Sequence, residues 1–174
     1  MIATKRLFIR PWASDGAKSF FELSQDAGFT LFPITHYRQP SLQSAREWID
    51  QAIELHQQTG LGKWAVWEKQ SGQLVGMGGL TPWQLESEKL VDITYRLRHS
   101  AWGQGLGLEL AEALVTYGFE ELNLSQITAT ITPENLPSKK IAEKLGMNYD
   151  RQIILLGVAT DLYRLWPSAQ ARRP

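Results

Sequence analysis

The spacing of hydrophobic residues in the N-terminal third predicts one strand followed by two helices. Polar and apolar residues alternate over positions 4–12, which is typical of a strand. A short helix is predicted next, with Ser14 and Asp15 as candidate N-caps. A longer helix is predicted to begin after Ser41 and to end at Gly60.

From residue 63 the apolar period changes to two, and the rest of the chain predicts a sheet with two more helices. Strands are predicted over 64–68, 74–80, 90–97, 126–132, 152–158 and 160–166. In the simplest arrangement, the first three of these strands are antiparallel neighbours. Helical spacing covers 103–122, with one narrow polar stripe that includes Glu109, and 136–145, with a stop at Gly146. The predicted order is therefore βααβββαβαββ.

Length and composition narrow the class of protein. A chain of 174 residues with 43% hydrophobic residues predicts a single domain over 1–167, followed by a loose C-terminal tail over 168–174. The 18 basic and 18 acidic residues give no net charge, so we expect neither nucleic-acid nor membrane binding.

The chain has no cysteine, which excludes disulfides, thiolate metal sites and a cysteine nucleophile. The longest apolar run, residues 153–159, is far shorter than the roughly 20 residues of a membrane-spanning helix. Because the first ten residues also lack a signal-peptide core, the expected location is cytoplasmic.

The segment from Trp102 to Gly107 carries three glycines at alternate positions, between a predicted strand and the apolar helix. Without Cβ atoms a phosphate approaches the main chain closely, and the free amides of a helix N-terminus bind it. A tight turn without ligand is the alternative interpretation. Leu108 stands where a dinucleotide fingerprint needs glycine or alanine, and no Gly-Lys-Ser/Thr triplet of a P-loop occurs.

Five ordered segments resemble the GNAT (general N-acetyltransferase) superfamily, in the branch that includes the ribosomal-protein N-terminal acetyltransferases. They are Arg6-Leu7-Phe8-Ile9-Arg10-Pro11, Tyr95-x-Leu97, Trp102-Gly103-Gln104-Gly105, Asn135-x-x-Ser138 and Glu143-Lys144-Leu145-Gly146-Met147. The resemblance covers nearly the whole chain. It implies an α/β (α+β) fold whose central, mixed and mostly antiparallel sheet has about seven strands and about four flanking helices.

The resemblance also implies acetyl-CoA as co-substrate and assigns its binding residues. The main-chain amides of the glycine loop would bind the pyrophosphate, and these are the amides of Gly103, Gln104, Gly105, Leu106 and Gly107. Trp102 stands where many members have Arg or Gln. The strand near Leu97 would pair with the pantetheine arm and polarise the thioester through main-chain amides. Asn135 would hydrogen-bond the arm, and Ser138 would lie close to the sulfur.

Acetyl transfer to an amine needs a base, because an amine with a pKa of about 10 is almost wholly protonated at neutral pH. Asp92 is the candidate, at a position where this branch often carries Glu; its alternative role is a strand residue bonded to a polar neighbour. For the acid, the tyrosine of many GNAT proteins is replaced here by Ala142. Ser138 is the proposed substitute, and its alternative role is local bonding in the first turn of a helix.

Aromatic residues fall in the two loops that border the acceptor channel in this family. Phe32, Tyr37 and Trp83 are the candidate acceptor-binding residues, with Phe29 and His36 nearby. Arg98, Lys139 and Lys140 are candidates for the ribose phosphate of the coenzyme, although solvated surface charge explains any one of them equally. Tyr149 and Tyr163 are also considered as site residues. The three histidines show no metal-ligand spacing, so no metal is expected.

The sequence therefore predicts an enzyme that moves acetyl from acetyl-CoA directly to a primary amine through a ternary complex. A protein N-terminal amine is the first acceptor class, and small amines such as polyamines or antibiotics are the second. Two alternatives remain: a non-catalytic acyl-CoA binding or sensing domain, and an interaction domain whose glycine loop is only a turn. A monomer and a homodimer are both compatible with the sequence.

Overall fold

The computed structural model describes residues 1–31 and 37–167. Its strands and helices are β1 (Ile2–Ala3), β2 (Leu7–Arg10), α1 (Ala17–Ser24), α2 (Ala27–Thr30), α3 (Leu42–Thr59), β3 (Gly62–Glu68), β4 (Leu74–Leu85), β5 (Glu88–Leu97), α4 (Leu106–Thr116), β6 (Ile127–Ile131), α5 (Leu136–Lys144), β7 (Asn148–Leu155) and β8 (Val158–Leu165). The strands form one sheet in the order β1-β2-β3-β4-β5-β6-β8-β7.

Every pair of neighbouring strands in this sheet is antiparallel except β5 and β6, which are parallel. This confirms the mixed, mostly antiparallel sheet that the sequence predicts. The described residues contain eight strands and five α-helices rather than about seven and four. The additional elements are small, since β1 has two residues and α2 has four.

Helices cover both faces of the sheet, and each face has its own core. On one face α4 packs through Leu106 and Leu110 against a core that includes Ile93 of β5. On the other face α1 and α3 pack Phe20 and Ile49 against the opposite side of β3 and β4. Strand β5 therefore separates two compartments, with its odd-numbered residues toward α4 and its even-numbered residues toward the other helices.

The predicted ends of α3 are confirmed. The Ser41 hydroxyl accepts a hydrogen bond from the Ser44 amide at 3.1 Å, and Gly60 ends the helix in the left-handed region at φ 70°. The predicted caps of the first helix are wrong. Ser14 and Asp15 lie inside a 3-10 turn that precedes α1, and α1 has no side-chain cap.

Several strand and helix boundaries also differ from the predictions; β4, for example, ends at Leu85 rather than at residue 80. The opening strand is a pair of short antiparallel strands, β1 and β2. Helix α4 begins at Leu106 rather than at 103, because Gly103 and Gly105 both adopt left-handed conformations that a helix does not continue. The last two strands begin earlier, since the turn between them lies at the left-handed Gly157.

No helix within the described ranges has both the length and the apolar character needed to cross a bilayer.

Candidate functional site

The sheet opens between its two parallel strands, and this opening creates the site. Strands β5 and β6 pair at one position only, Asp92 with Thr128. Beyond that pair the strands diverge, and a cavity of about 1060 Å³ lies between them. Its walls include residues 93–97 of β5 and residues 129–131 of β6. The divergence thus gives a passage from one face of the sheet to the other.

Main-chain amides of β5 face this passage. The Val91 carbonyl oxygen lies 3.2 Å from the Thr128 hydroxyl oxygen, so Val91 directs its peptide groups toward β6. Because peptide direction repeats every two residues along a strand, the N–H groups of Ile93 and Tyr95 point the same way. At that level β6 no longer pairs with β5. These amides are donors for a carbonyl oxygen placed in the cavity.

The glycine loop forms one end of the cavity. Gly103 and Gly105 have φ values of 73° and 77°, in the left-handed region that favours glycine. Gly105 is the N-cap of α4 and supplies no side-chain oxygen, so no side chain competes for the first-turn amides there. Together with Trp102 and Leu106, the two glycines line the cavity. This geometry suits a bound phosphate.

The other two predicted loop residues have different surroundings. Gln104 lies outside the cavity wall; its side chain donates to the Ser100 carbonyl at 2.9 Å. Gly107 lines the cavity from within α4. A Cβ on Gly107 would lie 3.2 Å from Cδ1 of Ile141, so this glycine also lets α4 and α5 approach closely.

An ion pair holds the glycine loop from the N-terminal side of the sheet. The Arg6 Nε donates to Glu109 at 2.6 Å, and Arg6 Nη1 donates to the Gln104 carbonyl at 2.8 Å. Glu109 also accepts from the Thr4 hydroxyl at 2.6 Å and from the Arg6 amide at 2.7 Å. Although burial opposes it, these hydrogen bonds hold the pKa of Glu109 below its ordinary value. We call Arg6, Glu109 and the Gln104 carbonyl the loop brace.

Asp92 lies at the point where β5 and β6 separate. Its Oδ1 accepts from the Thr128 hydroxyl at 2.7 Å and its Oδ2 accepts from the Thr130 hydroxyl at 2.9 Å. Burial raises the pKa of Asp92 to about 6, although the threonine hydrogen bonds and the charge of Lys63 oppose that rise. The carboxylate is therefore ionised at neutral pH and close to the range where it accepts a proton.

The N-terminus of α5 lies against the same cavity. Asn135 caps this helix, its Oδ1 accepting from the Ser138 amide at 3.2 Å, and both residues line the cavity. Capping occupies the amide oxygen of Asn135 and leaves its NH₂ group for another acceptor. Ala142, where many family members have a tyrosine, is buried in the core.

Tyr95 is a site residue that the sequence prediction did not assign. It lines the cavity from β5, beside Ser138. Burial raises the pKa of Tyr95 to about 12, although interaction with the Ser138 side chain opposes the rise. The phenol therefore stays protonated at every physiological pH. The signal was the position of Tyr95 on the face of β5 turned toward α4, but the partner lies 43 positions later in the sequence.

The predicted acceptor-binding residues separate into three groups. Tyr37 and Trp83 line the cavity, and the Trp83 indole donates to the Thr128 hydroxyl at 3.1 Å. Phe29 does not line the cavity, because it is fully buried in the core beneath α1 and α3. Phe32 and His36 lie outside the described residues.

The remaining candidates are placed as follows. Leu97 lines the cavity, and its carbonyl accepts from the Trp102 indole at 2.9 Å. Lys140 also lines the cavity, whereas Lys139 pairs with Asp161 at 2.7 Å. Tyr149 and Tyr163 pack against each other with ring centroids 5.7 Å apart, outside the cavity wall. Arg98 is likewise outside that wall.

Comparison with known proteins agrees with this geometry. The profile of a family described as acetyltransferase (GNAT) domain matches residues 6–148. The protein YkkB from Bacillus subtilis (strain 168) is 32% identical over 111 residues, and the match spans 64% of this chain and 64% of YkkB, just under two thirds of that relative. The N-acetyltransferase p20 from Bacillus licheniformis is 29% identical over 144 residues, covering 82% of this chain and 79% of p20.

Among solved structures, the ribosomal-protein-S5-alanine acetyltransferase from Vibrio fischeri superposes with a TM-score of 0.81 over 99% of this chain and 98% of its own. The two sequences are only 17% identical, so this likeness concerns the fold. The family profile covers far more than half of the chain. The chain therefore belongs to the GNAT family and carries its acetyl-CoA-dependent acetyltransferase domain.

Proposed function

We propose that this protein transfers an acetyl group from acetyl-CoA directly to a primary amine, with a protein N-terminal amine as the first acceptor class. The observation that supports this most strongly is the continuity of the cavity. It joins the glycine loop, the diverging strands and Asp92 in one passage through the sheet. The fold shared with the Vibrio fischeri enzyme, whose name gives ribosomal protein S5 as its substrate, supports a protein amine.

The coenzyme fits the α4 side of this passage. The left-handed glycines Gly103 and Gly105 leave the space that a Cβ would fill, and the first-turn amides of α4 supply donors with the positive end of the helix dipole. We propose that the loop amides hold the pyrophosphate and that the NH₂ group of Asn135 and the edge of β5 hold the pantetheine arm. The thioester supplies the activated acetyl group.

The main-chain amides of Ile93 and Tyr95 are proposed to stabilise the oxyanion. Both face the passage where β6 has separated from β5, so the sheet itself leaves them without a strand partner on that side. Fixed donors of this kind stabilise developing negative charge without reorganising during the reaction. The proposal assigns stabilisation of the oxyanion to main-chain amides at the centre of β5 rather than near Leu97, which lies at the end of the strand.

Asp92 is proposed as the base. Only about one part in a thousand of an amine with a pKa near 10 is free at pH 7, so the ammonium must lose a proton before it attacks. The Asp92 carboxylate accepts that proton directly or through one water. The amine nitrogen then forms a bond to the acetyl carbon and releases its second proton to water, the carbon–sulfur bond breaks, and the thiolate leaves.

Ser138 is proposed to return a proton to the thiolate, supported by Tyr95. The Ser138 side chain interacts with the Tyr95 phenol, and both residues line the cavity. Because the thiolate of a thiol with a pKa of about 8.5 is a good leaving group, the general acid contributes less to the reaction rate than the base does. Replacing Ser138 by alanine is expected to lower kcat by about tenfold or less, below the range usual for general catalysis. An unchanged kcat with a rate-limiting chemical step would exclude this role.

Thermal unfolding in the presence of acetyl-CoA tests the coenzyme site. Ligand at about 100 times its dissociation constant adds about 2.7 kcal/mol to the free energy of unfolding, which for this length shifts the midpoint by roughly 5 to 10 °C. We expect that shift with acetyl-CoA, and none with NADH or ATP. The absence of a shift at saturating acetyl-CoA would indicate that the glycine loop is only a turn and does not bind the coenzyme. A shift without transfer to any amine would favour the acyl-CoA sensing alternative.

A further inference from the structure

The loop brace ties the glycine loop to the turn between β1 and β2. Three donors of this turn converge on the Glu109 carboxylate: the Thr4 hydroxyl at 2.6 Å, the Arg6 amide at 2.7 Å and the Arg6 Nε at 2.6 Å. The Thr4 hydroxyl also accepts from the Leu7 amide at 2.9 Å. The Arg6 carbonyl accepts from the Lys69 amide at 2.8 Å, which joins the turn to the chain just after β3. The first turn of α4 is therefore attached to a part of the sheet that has its own hydrogen bonds.

A second contact of Arg6 sets the direction of one amide in the glycine loop. Arg6 Nη1 donates to the Gln104 carbonyl at 2.8 Å. Because a trans peptide group is planar, its carbonyl and its N–H point in opposite directions, so the Gly105 N–H points away from Arg6. No hydrogen bond among the residues that the structure describes takes up this N–H, and Gly105 lines the cavity. Arg6 thus holds the Gly105 amide as a donor for a ligand.

Arg6 also balances the charge of Glu109, which lies in the first turn of α4. This carboxylate is ionised at neutral pH, because its hydrogen bonds hold its pKa below the ordinary value. Only 16% of its side chain is exposed, so solvent screens its charge incompletely. Without a paired cation it would repel a pyrophosphate at the same end of the helix. The Arg6 guanidinium, whose Nε lies 2.6 Å from Oε2, supplies that cation.

We propose that Arg6 is a positioning residue for coenzyme binding, which fixes the Gln104–Gly105 peptide and neutralises Glu109 so that the loop amides bind the pyrophosphate. Arginine suits both tasks because its planar guanidinium presents several donors in a fixed arrangement, whereas lysine presents one compact charge. The proposal requires no contact between Arg6 and the coenzyme. It rests on the proposed coenzyme site, and it makes the effect of Arg6 depend on the phosphates of the acyl donor.

Two acyl donors test this dependence. Acetyl-CoA carries the pyrophosphate, whereas S-acetylpantetheine has the same thioester and arm without it. Arg6→Met removes the charge and the donors of the side chain. We expect the Kd of this variant for acetyl-CoA to rise by about tenfold or more, as the loss of a hydrogen bond to a charged group allows, and its Kd for S-acetylpantetheine to change less than about twofold. Isothermal titration measures both constants.

Two further variants separate the fixed peptide from the balanced charge. Arg6→Lys keeps the charge without the planar group, so its Kd for acetyl-CoA should lie between those of the unaltered protein and Arg6→Met. The double variant Arg6→Met/Glu109→Gln also removes the unpaired carboxylate, and it should bind acetyl-CoA severalfold more tightly than Arg6→Met. Arg10→Met is the matched control, since Arg10 is exposed on β2 with its guanidinium over the Trp67 ring. It is expected to bind both donors as the unaltered protein does.

The outcomes separate the inference from the coenzyme site on which it rests. An unchanged affinity of Arg6→Met for acetyl-CoA, or an equal loss of affinity for both donors, overturns the inference and leaves the coenzyme site intact. A double variant that binds no more tightly than Arg6→Met overturns the neutralising role. If Arg6→Met does not fold, Arg6→Lys carries the same comparison of donors. No binding of acetyl-CoA by the unaltered protein overturns the proposed coenzyme site and the inference together.

Discussion

Replacing Asp92 by asparagine is expected to lower kcat/KM for the acceptor by about 10²- to 10⁴-fold at neutral pH, the range over which a positioned base accelerates proton transfer. In the unaltered protein, activity is expected to rise with pH through about 6, the pKa to which burial raises Asp92. The variant should not show this rise of activity with pH, because asparagine has no carboxylate to ionise. A pH–rate profile from 5 to 9 measures both effects.

The same substitution is expected to leave the folded state intact. Because the pKa of Asp92 is raised on folding, the folded protein binds more protons than the unfolded chain between the two pKa values. The contribution of this group to stability is therefore largest at low pH and is lost as the pH rises to about 6. Asparagine does not ionise, so the variant avoids the loss of stability that the unaltered protein undergoes when Asp92 ionises. The unfolding midpoint of Asp92→Asn at pH 7 should therefore equal or exceed that of the unaltered protein.

Asp50→Asn is the matched control for this prediction, since Asp50 is exposed on α3. It is expected to change neither the activity nor its pH dependence. An Asp92→Asn protein that transfers acetyl at the normal rate from pH 6 to 9 would exclude Asp92 as the base.

Replacing Gly105 by alanine is expected to weaken acetyl-CoA binding by about tenfold or more. Gly105 has φ 77°, and a Cβ there costs about 1–2 kcal/mol of strain in the left-handed region. The same Cβ would lie 3.6 Å from Nη2 of Arg6, so it would add a contact with the loop brace beside the amides that are proposed to bind the phosphate. Isothermal titration with acetyl-CoA measures the loss, and thermal unfolding without ligand measures the strain.

Gly72 supplies a matched control, because it has φ 65° in a turn and a Cβ there would meet no atom within 4 Å. Gly72→Ala and Gly105→Ala should therefore lower the unfolding midpoint by similar amounts. Only Gly105→Ala should weaken acetyl-CoA binding. Equal affinities in both variants would contradict the proposed phosphate site.

Local sequence signals predicted those parts of the fold that local interactions determine. Ser41 and Gly60 mark the ends of α3 because a hydroxyl cap and a left-handed glycine act within a few residues. The alternation along β5 determines which of its side chains share a face, because side-chain direction repeats every two residues. The glycine loop was found for the same reason, since its conformations belong to its own residues.

The contacts that complete the site were not predictable in this way, because they join distant segments. Nothing near Tyr95 in the sequence indicates Ser138, and nothing near Lys63 indicates Tyr37 or Arg96. The predicted start of the first helix at Ser14 and Asp15 shows that suitable local residues do not always produce the predicted element. Its capping residues were suitable, but a 3-10 turn formed there instead and placed α1 three residues later.

The loop brace determines when the proposed coenzyme site can form during folding. Arg6 and Glu109 are 103 positions apart, so their pairing closes a loop that contains more than half of the chain. During synthesis Arg6 leaves the ribosome before its partner, which follows only after β3, β4 and β5 have been made. The entropy of closing so long a loop has to be offset by the intervening sheet. Competence to bind coenzyme should therefore arise late, as a property of the assembled domain rather than of the glycine loop alone.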